Sequence, residues 1–311
     1  MIKSLILLEH VQNLALLFTN VMTRKSFILT IIASITISLS IAVLIGLGGS
    51  EAHGIPTSVM CCLAAFVFQW AAFLPAYHFQ TERYYDLVGS ASYLCLIALA
   101  LSLSKPLDVR DTVIALLVSI WALRLGIFLF HRIKNQGHDS RFDDIKPDFW
   151  YFLMVWTLQG LWVFITLAMA LAAITTNVKQ EFGLLGLLGI AVWIFGCSFE
   201  VIADFQKSQF RNNDENASSF ITTGLWAWSR HPNYFGEIVL WVGISIIAAP
   251  AISGWQWVAL ISPLFVAFLV TRISGVTLLE TRALERWGKD PAYRNYLSRT
   301  SCIIPKPPKC R

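Results

Sequence analysis

Charge is scarce in this chain. Asp, Glu, Lys and Arg make up 14% of its 311 residues, against about 25% in a soluble domain. Hydrophobic residues make up 56%, and mean hydropathy is +0.61. That balance excludes an ordinary water-soluble globule. Cysteine is also sparse: Cys61, Cys62, Cys95, Cys197, Cys302 and Cys310 show no C-x-x-C or metal-ligand spacing. Most fall in apolar runs, so neither a disulfide framework nor a metal site is expected. There is no internal repeat, no low-complexity tract and no linker long enough to separate two domains. Nucleic-acid binding has no motif behind it. The net charge of +5 reflects membrane sorting, and Lys306, Lys309 and Arg311 in the tail suit anionic lipid headgroups.

Long apolar runs are what the chain has instead. A bilayer span needs about 20 mostly apolar residues. Eight candidates meet that need: Ser26–Gly48, Thr57–Tyr77, Leu87–Leu103, Thr112–Phe130, Trp150–Thr175, Gly183–Ala203, Tyr234–Ala249 and Gln256–Val276. The third and seventh are short, and losing one would leave seven. The expected fold is all-α, a polytopic transmembrane helical bundle of about eight spans. Residues 1–25 form an amphipathic N-terminal segment, 26–280 the bundle, and 281–311 a cytoplasmic C-terminal tail. Within Met1–Met22, Lys3, Glu9, His10, Gln12 and Asn13 interrupt the apolar spacing, which suggests an interfacial helix rather than a span. No small-residue cleavage site marks it as a signal peptide.

Basic residues sort the loops. With eight spans, both termini and the loops after spans two, four and six share one side. That side holds 19 Lys and Arg, against three on the other, with Arg124 and Arg272 inside spans. The positive-inside rule then places both termini in the cytoplasm. Removing one span would scramble this sorting. The membrane is the endoplasmic reticulum or a bacterial inner membrane, depending on the organism.

Polar residues accumulate at that cytoplasmic side. Glu82 and Asp86 lie four residues apart before span three, and acids are favoured at a helix start in any case. Arg124 lies well inside span four, where an arginine costs roughly 2.5–3.5 kcal/mol at the bilayer centre. It either snorkels to the interface or meets an acid, Glu200 or Asp86 being the nearest candidates. Glu200, Asp204, Lys207 and Arg211 repeat at three- and four-residue steps, hence along one helical face. In the stretch W-S-R-H-P-N-Y-F-G-E, Pro232 suits a first helical turn. Arg230 and His231 then stand at a helix N-terminus, which favours an anion. Asn233 and Glu237 share one face, and Gly236 leaves room for a flat group against the backbone. Arg272 is expected to snorkel, Glu280 lies just past the apolar run, and Tyr293 and Tyr296 are read as packing or interfacial anchors.

From about Tyr77 to Pro305 these residues resemble the steroid 5-alpha-reductase-like membrane superfamily. The likeness is greatest to the branch reading G-L-W-x-x-S-R-H-P-N-Y-F-G-E. It rests on E-R-Y-Y-D-L-V-G, W-A-L-R-L-G, G-H-D-S-R-F, A-D-F-Q-K-S-Q-F-R and the final Y-x-x-Y-x-x-x-x-S-x-I-I-P, in order. The resemblance implies an NADPH-dependent reductase of a carbon–carbon double bond in a lipid or steroid-like substrate, with a cofactor pocket open to the cytoplasm. It implies cofactor positions at Asp204, Arg211, Arg230, His231, Asn233, Tyr234 and Glu237. Glu237 and Asn233 would hold the nicotinamide amide, and Arg211 and Arg230 would neutralise phosphate. Two departures stand out. Where steroid 5-alpha-reductases carry a Tyr-Arg pair, this chain reads N-A-S-S-F-I-T-T-G. Their carbonyl-polarising Tyr falls here at Trp121, so Glu82, Tyr84, Tyr85 and Asp86 are the nearest catalytic candidates.

The alternative is an S-adenosylmethionine-dependent methyltransferase of the isoprenylcysteine carboxyl methyltransferase type, which shares the Arg-His-Pro-x-Tyr-x-Gly core. Asn233, Glu237 and the number of spans favour the reductase. A transporter or lipid-binding protein ranks third, because it gives the clustered acids and bases no purpose. The expected partners are the bilayer and a hydrophobic small molecule; the oligomeric state is not encoded in these patterns.

Overall fold

The computed structural model describes residues 23–104, 106–136, 139, 142–216, 218–273 and 275–308. The interfacial helix expected over Met1–Met22 lies outside the described residues, as do residues 309–311. The chain is a polytopic helical bundle, and among the described residues eight segments are long and apolar enough to cross a membrane. In order they are α1 (Arg24–Gly46), α2 (Thr57–His78), α3 (Tyr85–Leu103), α4 (Val109–Gln136), α5 (Phe149–Thr175), α6 (Leu184–Arg211), α7 (Pro232–Ala248) and a broken eighth segment. A two-residue pairing of β1 (Glu51–Ala52) with β2 (Ile55–Pro56) turns the chain between α1 and α2.

The ends follow local chemistry. Thr23 and Ser26 form a capping box that starts α1, so the bundle begins two residues before the expected boundary. Asp148 caps α5 through the Tyr151 amide. Pro232 opens α7 as its sequence position predicts. α4 and α6 run past the expected span ends, and the extension of α6 carries Asp204, Lys207 and Arg211 on the same helix as Glu200.

The eighth span is not one regular helix. A 3-10 stretch (Gly254–Leu260) leads into α8 (Ile261–Phe268) and a π-helical turn (Leu269–Ile273). α9 (Val276–Trp287) and α10 (Pro291–Arg299) follow. A Cβ on Gly275 would meet the Tyr234 ring at 2.8 Å. The expected border at 280/281 falls inside α9, and the tail packs back on the bundle rather than leaving it.

α5 is the hub. Every residue from Val163 to Thr175 is buried, as expected of a helix surrounded on all sides, and α1, α2, α3 and α8 pack on it. At the end away from the basic loops, Arg110 is 1% exposed. It donates to the carbonyls of Ile247 at 3.0 Å, Gln180 at 3.0 Å and Glu181 at 2.9 Å. One cation thus ties α4, the α5–α6 loop and the end of α7.

The closest approach is between α6 and α7. Four glycines, spaced seven residues apart on each helix, allow it. A Cβ on Gly196 would lie 2.5 Å from the Leu240 nitrogen, and one on Gly236 would lie 2.6 Å from the Glu200 nitrogen. Gly189 and Gly243 repeat the contact one heptad along, at 2.8 Å from the Gly243 carbonyl and 2.7 Å from the Trp193 nitrogen respectively. Small residues of this kind let membrane helices meet backbone to backbone. The space that Gly236 was expected to keep for a flat ligand is therefore taken by α6.

Gly236→Ala should lower stability by about 1–3 kcal/mol, because an added methyl overpacks a backbone contact. Gly183→Ala is the control, since its Cβ meets nothing within 4 Å. Thermal melts of the two variants in detergent check this. Equal melting temperatures would mean that α6 and α7 stand farther apart.

Candidate functional site

The glycine contact fixes what faces what at the basic end of the bundle. With Gly236 pressed on the backbone at Glu200, the polar face of α6 meets the first turns of α7. Arg124, from α4, enters between them. Its guanidinium pairs with Glu200 and lies 3.1 Å from Asp204 Oδ2. It therefore meets acids rather than snorkelling, and Asp204 joins Glu200 as a partner. Asn233 Nδ2 donates to Asp204 Oδ1 at 3.2 Å. A carboxylate acceptor fixes the orientation of the Asn233 amide, so Asn233 Oδ1 points elsewhere.

Three buried polar atoms of this cluster have no partner among the described residues: Glu200 Oε2, Asn233 Oδ1 and Arg124 Nε. Glu237, one turn along α7, accepts no hydrogen bond among the described residues. Buried polar atoms are normally satisfied, and leaving one bare costs about 1–3 kcal/mol. The cluster is thus missing two or three hydrogen-bond donors and one acceptor. A primary carboxamide has that complement, with two N–H groups and one carbonyl oxygen.

A second group lies beside it. Glu280 Oε1 on α9 is 3.1 Å from Arg230 Nε and 3.1 Å from His231 Nε2. The Cys302 thiol points at the same oxygen from 3.9 Å. Burial holds the His231 imidazole below its ordinary pKa against the opposing pull of Glu280, and burial pushes the Cys302 thiol up. His231, Glu280 and Cys302 offer three ligand atoms within 4.8 Å of one another. The Arg230 guanidinium on the same oxygen works against a divalent cation there. The cations expected to wait for phosphate thus have an acid of their own. The tail also takes the local amides: Arg230 N donates to Ser301 O at 2.8 Å, and His231 N to Cys302 O at 3.1 Å. Tyr234 stacks on His231 with ring centroids 5.6 Å apart. Arg211 is exposed in the last turn of α6.

The loop between α6 and α7 is held from both sides. Trp226 Nε1 donates to Ala203 O at 3.0 Å, Tyr296 Oη donates to Trp226 O at 2.7 Å, and the Lys207 ammonium lies 4.6 Å from the Trp226 ring centroid. Gly224 has φ +61°, and a Cβ there would strike the Gln206 side chain, which accepts from the Leu225 amide at 2.9 Å. Tyr296 is a packing residue, as its sequence position suggests.

Of the four catalytic candidates at the start of α3, Glu82 and Tyr85 are engaged in contacts of their own. Glu82 accepts from Lys146 Nζ at 2.6 Å and from the Asp139 amide at 3.1 Å. Burial alone would raise its pKa, but these donors hold its carboxyl below the usual range. Its contribution to stability is present above the ordinary carboxylate pKa and is lost as pH falls through the depressed one. Tyr85 Oη donates to Val155 O at 3.1 Å, Tyr84 is exposed, and Asp86 is half-buried in the first turn of α3. Another phenol lies nearer the cluster. Tyr93, buried on α3, has its ring centroid 6.4 Å from that of Trp241, one turn past Glu237 on α7. It stands edge-on to Trp121 at 5.0 Å, and Trp121 to Trp241 at 5.1 Å. Nothing in its sequence context marks Tyr93; only the approach of its ring to Trp241 brings it in. Glu280 is visible in sequence as an acid past the apolar run, but its partners are not.

A family model described as "Protein of unknown function (DUF1295)" matches residues 70–300, so the chain belongs to that family. "Uncharacterized protein C594.04c" of Schizosaccharomyces pombe is 22% identical over 236 residues, 63% of this chain. The chain spans 64% of that relative's length. No solved structure matches the chain.

Arg124→Gln should cost about 3 kcal/mol, the lower part of the range for breaking a buried pair, because the Arg124 side chain keeps 21% exposure. Adding Asp204→Asn should recover part of that loss by removing a carboxylate left without a partner. A double-mutant cycle on melting temperatures reads this. Strict additivity would show that the two residues do not interact.

Proposed function

We propose that this DUF1295 member is an NADPH-dependent reductase of a carbon–carbon double bond in a lipid or steroid-like substrate. The observation that carries the reading is the cluster of buried, unpartnered polar atoms at Glu200, Asn233 and Arg124 beside Glu237, which a nicotinamide carboxamide would complete. The resemblance of the R-H-P-N-Y-F-G-E stretch to steroid 5-alpha-reductase-like proteins supports it independently.

On this reading each residue has a task. Asp204 holds Asn233, and Arg124 keeps Glu200 and Asp204 in place. Glu200, Asn233 and Glu237 take the carboxamide, and Arg211, exposed at the end of α6, neutralises phosphate. Arg230 and His231 serve the same end once they exchange Glu280 for a stronger anion. NADPH, when bound, supplies a hydride. The double bond takes that hydride at one carbon and a proton at the other. Tyr93 replaces Glu82, Tyr84, Tyr85 and Asp86 as the candidate proton donor, because it is the buried phenol packed on Trp241, one turn past Glu237. The surrounding spans exclude bulk water and admit an apolar substrate from the bilayer.

The methyltransferase reading stands second on one observation. The carboxyl groups of Glu200, Asp204 and Glu237 stand near one another there, and S-adenosylmethionine carries a sulfonium. The site would open to the cytoplasm, as the division of 19 to three basic residues between the two faces implies. A reporter fused after Arg311 should read cytoplasmic, and a readout on the far side would overturn that orientation.

Glu237→Gln should weaken NADPH binding by roughly one to two orders of magnitude, the value of one charge-assisted hydrogen bond. Asn233→Ala should act similarly, and the two should be less than additive because they grip one group. Fluorescence titration of wild type, both single variants and the double variant measures this. Unchanged NADPH affinity throughout, or S-adenosylmethionine binding in its place, would refute the reductase reading.

A further inference from the structure

The start of α7 already holds an anion, and that anion belongs to the protein. Glu280 Oε1 lies 3.1 Å from Arg230 Nε and 3.1 Å from His231 Nε2, at the positive end of a 17-residue helix. An oxygen facing an arginine, a histidine and a helix start stands where such an end holds a phosphate oxygen. Glu280 fills the position incompletely. Arg230 Nε meets it as an ion pair without a well-aligned hydrogen bond among the described residues. His231 is 6% exposed, and its Nδ1 has no partner among the described residues. The carboxylate and its partners are also anchored separately. The backbone at Arg230 and His231 is held by the Ser301 and Cys302 carbonyls, and Ser229 Oγ donates to Ile303 O at 2.8 Å. Glu280 comes instead from α9, every residue of which is at least partly exposed. α9 follows the break at Gly275, where a Cβ would lie 2.1 Å from the Val270 carbonyl oxygen. Arg230 and His231 therefore stay in place if Glu280 swings away.

We propose that Glu280 is a built-in competitor for phosphate, which fills the anion position at the start of α7 and must swing aside before a phosphate group binds there. This rests on the reading of Arg230 and His231 as phosphate-binding residues. A phosphate group brings several acceptor oxygens and more negative charge than one carboxylate oxygen, so it can engage the two side chains separately. The competition lowers the apparent affinity in proportion to the time Glu280 spends in the position. The Glu280 and Arg230 side chains are 24% and 17% exposed, so solvent weakens their pair. A tenfold reduction in affinity, about 1.4 kcal/mol, suits such a contact. The consequence is selectivity. A small anion has to displace Glu280 on its own, whereas a dinucleotide adds contacts elsewhere in the site.

The test is pyrophosphate binding, measured by calorimetry on the full-length protein in lipid nanodiscs. Glu280→Gln keeps the shape of the side chain and removes its charge, and should bind pyrophosphate about tenfold more tightly than wild type. Glu285→Gln removes a charge from an exposed position later in α9 and should leave the affinity unchanged. Glu280→Asp draws the carboxylate back by one methylene. It should fall between wild type and Glu280→Gln, and it decides the matter if the glutamine variant fails to fold. Unchanged or weaker pyrophosphate binding in the folded Glu280 variants overturns the proposal and makes Glu280 a structural latch. An equal gain in Glu285→Gln also overturns it, because the effect is then general charge alone. Tighter pyrophosphate binding by Glu280→Gln, with NADPH bound by neither protein, supports the competitor and overturns the reductase reading.

Discussion

The close approach of α6 to α7 is the constraint on which the site depends. Backbone meets backbone at Gly189, Gly196, Gly236 and Gly243, and a methyl group at any of them would fall inside van der Waals contact. Because the four glycines sit at heptad spacing, the two helices stay in register over two successive contacts. That register carries Asn233 to Asp204 and Glu237 to the neighbourhood of Glu200. Side chains on two unrelated stretches of sequence thereby become one cluster, with Arg124 reaching it from α4. In a membrane there is little hydrophobic drive between helices, so close packing of small residues has to supply the association.

The cluster is expensive to keep at the edge of the apolar region, and the surrounding structure shows how it is held. Arg124 offsets two carboxylates, Asn233 ties one of them to α7, and the α6–α7 loop is pinned by Trp226 from one side and Tyr296 from the other. The tail lies along Trp228–His231 through the Ser301, Cys302 and Lys306 backbone, so α9 and α10 act as a clamp across the site. Glu280 is the electrostatic centre of that clamp. What remains uncompensated among the described residues after all of these contacts is specific: bare acceptors on Glu200 and Asn233, and a Glu237 that accepts no hydrogen bond. Such a remainder defines a ligand by its complement of hydrogen-bond donors.

Much of this is legible in sequence where local chemistry decides it. Apolar runs mark the eight spans, Pro232 marks the start of α7, and three- and four-residue steps place Glu200, Asp204, Lys207 and Arg211 on one face. The depth of Arg124 requires a partner, and an acid from α6 meets that need. Other features depend on how helices pair, which no single stretch records. The heptad spacing of Gly189 with Gly196, and of Gly236 with Gly243, acquires meaning only when the two helices face each other. The room that Gly236 offers a ligand in sequence is therefore room that α6 fills. Glu82 looks chemically free until the α4–α5 loop brings Lys146 to it. Tyr93 and Glu280 find their neighbours through tertiary packing alone, as does Gly275, where a Cβ would meet the Tyr234 ring.

The central claim is that the α6–α7 contact builds a dinucleotide site at the basic end of the bundle. Hydrogen exchange of the purified protein with and without NADPH tests it most directly, because it reports where a ligand acts. NADPH is predicted to protect amides around Glu200–Arg211 and Arg230–Glu237, while those around Arg110 and Gln180 at the opposite end stay unchanged. Protection by S-adenosylmethionine instead, or NADPH protection confined to other segments, would contradict the account.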